Sequence, residues 1–158
     1  MAQFRYSGIP TAVADEVRDT LRSPQYGHPV HREVARGYGP CRHCLRTFDI
    51  DREDRLLFTY QPIQEPDGLP APGPVFVHAE PCERYDDAEF PPPLLDLPLV
   101  IEGFRAGGTI VVQEAVGTAS PDEVVGRVFA LGEVAYAHVR NAEAGCFVAR
   151  VERGMAGN

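Results

Sequence analysis

Two groups of residues in this sequence have the types and spacing to do chemistry. The first begins at Cys41-Arg42-His43-Cys44, a C-x-x-C that lets two thiolates from one turn reach a single ion. His78-Ala79-Glu80-Pro81-Cys82 adds an H-x3-C. Cys41, Cys44, His78 and Cys82 together make a Cys₃His tetrahedral set, with His43 as a spare ligand. Zinc suits such a set because it accepts mixed sulfur and nitrogen ligands without redox chemistry. The test is geometric: the ligand atoms must converge within about 4 Å of one another. The alternative is metal-free, with Cys44 and Cys82 as small buried hydrophobes and His78 ending a strand. Because no second C-x-x-C answers the first, the metal-free alternative is favoured at this point. A thioredoxin-like redox pair is disfavoured, since Thr47–Asp51 does not read as the helix that must follow it.

The second group lies in the last forty residues. If Asn141–Gly145 is a hairpin loop, Arg140 faces Cys146, His138 faces Val148 and Tyr136 faces Arg150. Strand alternation then puts Tyr136, His138, Arg140, Cys146, Val148 and Arg150 on one face. Ala135, Ala137, Val139, Phe147, Ala149 and Val151 take the other, wholly apolar face. On the polar face Arg140 and Arg150 could grip a carboxylate or phosphate, with Tyr136 and His138 completing a ligand-binding set. Cys146 lies diagonal to His138, so the two are candidates for a nucleophile and its base. The plainer alternative is the solvated side of an edge hairpin. If the face lines a cleft instead, two fixed guanidinium groups need a balancing anion or a buried acid. Glu102 and Glu114 are the candidate acids, and a carboxylate in place would make the cluster a structural network.

The elements that must position these groups are readable in outline. Phe4–Ile9 alternates and reads as a strand, and Thr11 can N-cap a helix to about Leu21 whose Val13, Val17 and Leu21 share a face. A short strand is expected around Val30–Val34, and Arg55–Ile63 and Gly73–Glu80 are β-rich. The proline-studded connector between the last two reads as a loop, and the acidic run Glu83–Glu89 as an acidic surface loop. LPLVIEGF and GTIVVQEAVG form a hairpin about Arg105–Gly108. Ser120-Pro121-Asp122-Glu123 starts a second helix, to Leu131, with Ser at the N-cap, Pro at N1 and acids in the first turn. The tally of about seven strands and two helices does not alternate regularly. A mostly antiparallel α+β domain fits, with a curved sheet or partly open barrel and two covering helices.

Composition narrows the function classes. The chain has 158 residues, expected to form one domain, 44% of them hydrophobic and 24% charged, values near the globular average. All 15 basic residues are Arg, and net charge is −8. A general nucleic-acid or anionic-membrane partner is disfavoured, because either needs a positive field. The start, MAQFRYSGIP, lacks an apolar signal region, so a reducing cytoplasm with free or metal-bound thiols is expected. Lipase, Walker A and Rossmann motifs are absent from the sequence. The oligomeric state and any catalytic activity are left open.

HVRNAEAGCFVARVER, taken with Pro40-Cys41-Arg42 and GPVFVHAEPC, resembles a bacterial family catalogued as domain of unknown function 1203. The resemblance runs over nearly the whole chain. It implies no activity, cofactor or substrate. The family's Cys-Arg motif need not be followed by a second Cys, so the CRHC form here departs from it. The first expectation is a cytosolic domain that binds a small anionic molecule at Tyr136, His138, Arg140 and Arg150. The alternative is a zinc-stapled structural or protein-interaction domain without catalysis.

Overall fold

The computed structural model describes residues 3–37, 39–62 and 72–154. Nine strands and two α-helices are arranged as β1 (Phe4–Ser7), α1 (Thr11–Thr20), β2 (His31–Val34), β3 (Asp54–Tyr60), β4 (Gly73–His78), β5 (Asp86–Asp87), β6 (Leu99–Phe104), β7 (Ile110–Ala115), α2 (Pro121–Phe129), β8 (Tyr136–Asn141) and β9 (Phe147–Arg153). They build a six-stranded sheet, β5-β1-β9-β8-β6-β7, and a three-stranded sheet, β2-β3-β4. Every pairing is antiparallel and neither sheet closes into a barrel. This is the expected α+β class with open sheets. None of the described helices is long and apolar enough to cross a membrane.

Two cores follow from the two sheets. One face of the six-stranded sheet (Ile101, Ala137, Val139, Ala149, Val151) packs on α2 through Val124, Val125, Val128 and Phe129. Each fully buried side chain of this kind is worth about 1.5–3 kcal/mol over exposure. The second core joins Val17 of α1, Leu56, Phe58 and Tyr60 of β3, Val75 and Val77 of β4, Cys41, Cys44 and Phe147. Phe147 comes from the large sheet, so its outer face is covered rather than solvated.

α2 begins as expected, with Ser120 extended at the N-cap, Pro121 at N1 and Asp122 and Glu123 in the first turn. α1 is capped differently. Thr11 is already helical; Pro10 holds the N-cap position (φ −58°, ψ 143°), and the Thr11 hydroxyl turns to His43 Nε2 at 3.0 Å. Proline fixes φ but offers no side-chain acceptor, so this helix start has no side-chain cap.

The acidic run is partly a strand: Asp86 and Asp87 pair with Ser7 and Tyr6 of β1. The proline-rich connector lies largely outside the described residues.

Candidate functional site

The cysteine loop is a tight turn held by its backbone. Cys41 N–H donates to Arg46 O at 2.9 Å and Leu45 N–H to Cys41 O at 2.8 Å, with Leu45 in the left-handed region at φ 60°. Arg42 N–H donates to Phe76 O of β4, Ile9 N–H to Arg42 O, and Tyr85 N–H to His43 O, at 2.8–2.9 Å. The Arg42 side chain is buried and bridges to the large sheet, donating to Phe147 O and Pro40 O at 2.6 Å. Burial pushes its guanidinium down to about 10, so it stays charged at neutral pH.

Within this frame the thiols of Cys41, Cys44 and Cys82 all lie within 4.8 Å of one another. Cys41 Sγ and Cys82 Sγ are 3.9 Å apart. Cys41 is fully buried, Cys44 nearly so, and Cys82 half-buried. Arg18 of α1 donates through Nη2 to Cys82 Sγ at 3.1 Å and through Nε to His78 O at 3.0 Å. His43 Nδ1 meets Cys82 Sγ at 3.1 Å. Burial opposes charge on Cys41, but hydrogen bonds from the Cys44 and Cys82 thiols and from backbone N–H groups outweigh it and pull its thiol down. Cys44 and Cys82 are pushed up, chiefly by their hydrogen bonds to Cys41.

The fourth expected ligand stands elsewhere. His78 Nδ1 pairs with Glu53 Oε1 at 2.6 Å, and its ring packs on Phe48 at 4.6 Å. The alternation that buries Val75 and Val77 sends the His78 ring to the opposite face of β4. The spare ligand His43, inside the cysteine loop, is the imidazole that meets a thiol, that of Cys82.

The C-terminal hairpin differs from its expected register. His138 pairs with Arg150, Val139 with Ala149 and Arg140 with Phe147, with a β-bulge between Val139 and Arg140. The turn extends one residue further than expected: Asn141 N–H donates to Cys146 O, and Asn141 Oδ1 accepts from the N–H groups of Glu143 and Ala144. A slip of one residue beside the turn swaps the faces of Phe147 and Val148, and the bulge absorbs the odd residue so that Ala149 and Val151 return to the core. Phe147 thus leaves the expected apolar face and packs edge-on against His138 at 4.9 Å. Val148 takes its place in the α2 core.

The four expected ligand-binding residues do share a face, but they divide in role. Arg140 is ion-paired through Nε with Glu102, both nearly buried; the contact is one of charges rather than an aligned hydrogen bond. Glu102 also accepts from Gln113 Nε2. Glu102 is thus the balancing acid for Arg140, and Glu114 pairs instead with Arg127 at 3.4 Å. Tyr136 lies beneath Arg150, whose guanidinium carbon is 4.1 Å from the ring centroid. His138 is fully buried, and neither ring nitrogen has a partner among the described residues. Burial, then Arg140 and Arg150, hold it well below the usual histidine value, so it is neutral. His138 and Arg150 line a recess of about 380 Å³ with Arg84, Ile9 and Tyr60. Cys146 opens into a different recess, with Arg140, and Phe147 forms part of the wall of both. The structure does not bring Cys146 and His138 together as a nucleophile and base.

A family model described as protein of unknown function (DUF1203) matches residues 38–153. The chain belongs to this family. The match takes in the cysteine loop, β3, β4 and the C-terminal hairpin of this DUF1203 chain, and begins after β1, α1 and β2. No curated protein and no solved structure matches it. Arg84 and Arg18 are the residues that sequence reasoning missed. Arg84 follows the thiol segment by two positions, and Arg18 sits on α1; neither carried a spacing signal.

Proposed function

We propose that this DUF1203 chain is a metal-binding domain in which Cys41, Cys44 and Cys82 hold one zinc ion as a structural staple. The supporting observation is the convergence of three thiols, from segments far apart in the chain, to within 4.8 Å of one another. Four ligands at a Zn–S distance of about 2.3 Å place tetrahedral sulfurs about 3.8 Å apart. Cys41 and Cys82 stand at 3.9 Å. Three thiolates on a divalent ion leave one excess negative charge, and Arg18 lies against Cys82 to offset it. His43 stands beside the same sulfur, its Nδ1 3.1 Å from Cys82 Sγ. Metal binding would tie the C-x-x-C turn to the segment after β4, and metal binding energy of this kind is folding energy.

The test is metal content with thermal stability. Protein purified without chelator is expected to carry one zinc per chain, and Cys41→Ser to carry none. A preparation free of metal that melts at the same temperature before and after zinc addition would remove this reading.

A further inference from the structure

The recess beside His138 lies apart from the thiols. Its centre is an imidazole with no exposed surface and no hydrogen-bond partner on either nitrogen among the described residues. Burying a polar group unpaired is costly, and native folds rarely leave one so without a ligand, water or ion to meet it. A neutral imidazole offers one N–H donor and one acceptor.

Two guanidinium groups border the same space. Arg84 donates through Nε to Gly8 O at 3.0 Å, and no carboxylate among the described residues pairs with it. Arg150 gives its Nε to Glu152 at 2.6 Å, and its Nη groups have no hydrogen-bond acceptor among the described residues. Two cations and one acid leave the lining one unit positive, in a chain whose net charge is −8. Pro10 also lines the recess, at the start of α1, where no side-chain cap and no acidic residue meets the first-turn N–H groups. The remaining walls are apolar or aromatic: Ile9, Tyr60 and Phe147. A volume of about 380 Å³ suits a small molecule.

We propose that this recess binds a small organic carboxylate, its anionic head between Arg84 and Arg150 with the His138 ring beneath it, its apolar body against Tyr60 and Phe147. A single negative charge matches the surplus of one cation. The apolar walls offer nothing to the outer oxygens of a phosphate dianion. Guanidinium and carboxylate are geometrically matched, which favours this head group further.

The probe is benzoate, titrated into the full chain, with benzamide and inorganic phosphate at the same concentration. Binding is read by calorimetry and by the ¹⁵N resonances of the His138 imidazole. Benzoate is expected to bind and to shift those resonances, while neutral benzamide and phosphate leave them in place. Arg84→Gln and Arg150→Gln should each weaken benzoate roughly tenfold or more. Arg105→Gln, whose parent residue is exposed and paired with Glu133, should not change it. His138 resonances unmoved by benzoate in the wild-type chain would overturn the proposal without recourse to any variant. Equal affinity in a folded Arg84→Gln protein would overturn it as well, and phosphate binding in preference to benzoate would overturn the carboxylate class.

Discussion

The cysteine loop and the hairpin recess are both buried and both rich in polar atoms, yet they satisfy those atoms in opposite ways. At the loop the chain supplies partners internally: the thiols meet one another, Arg18 and His43 meet Cys82, and the backbone meets β4, Ile9 ahead of α1 and Tyr85. At the recess His138 meets none of the described residues, and Arg84 has only a carbonyl. A site that gathers its own ligands suits a tightly held ion that serves the fold. A site with unmet donors beside open volume suits a molecule that comes and goes. Arg140 is the instructive intermediate, since it began in the same strand face as His138 and was neutralised by Glu102.

The comparison can be broken most forcefully at the thiols. Cys41→Ser should lose bound zinc and cost several kcal/mol, seen as a fall in Tm of about 10 °C or more in a thermal melt. Breaking the buried pair comes next. Glu102→Ala leaves Arg140 charged and nearly dry, and should cost about 3–5 kcal/mol in denaturant unfolding. Removing both charges together with apolar residues should recover most of that loss. If Glu102→Ala is neutral, the division between Arg140 and the recess is wrong.

Gly8→Ala sharpens the contact between the regions. A Cβ at Gly8 would lie 2.2 Å from the backbone oxygen of His43, so the loop must shift as a whole. A loss of about 1–3 kcal/mol is expected, together with weaker metal retention. The smallest effect is on pH dependence. His138 titrates near 6.5 when unfolded and well below that in the fold. Below about pH 6.5 the unfolded chain takes up a proton that the fold refuses. The His138 contribution is therefore complete above that pH and is lost as pH falls toward the folded value. His138→Phe, which keeps a ring against Phe104 and Phe147, should flatten the acid limb by at most about 1.4 kcal/mol per pH unit. An unchanged limb would mean that His138 is partnered after all.

How much of this was legible depended on what alternation and spacing can encode. The helix starting at Ser120, the hairpin of β6 and β7, and the apolar faces of β8 and β9 apart from Phe147 carried strong local periods, and they are present. The cysteine pair was legible too, and so, in hindsight, was the exclusion of His78, because Val75 and Val77 fix the parity of β4. The face of Phe147 was not legible. One extra turn residue and a bulge decide it, and neither has a sequence period. Arg84 and Arg18 reach their sites only through tertiary contact, from Gly8 O and from the thiol of Cys82. Long-range hydrogen bonds of that sort leave no mark on local spacing.

Arg42 O receives Ile9 N–H, and His43 O receives Tyr85 N–H while pressing on Gly8. One peptide run of the cysteine loop therefore seats both the lip of the recess before α1 and the segment that carries Arg84. An ion at the thiols and a carboxylate in the recess, bound as proposed, would act on the same short backbone. Thermodynamic reciprocity governs such an arrangement. By whatever factor an ion at the sulfurs tightens a carboxylate in the recess, the carboxylate tightens the ion, and metal retention becomes a second way of reading the recess.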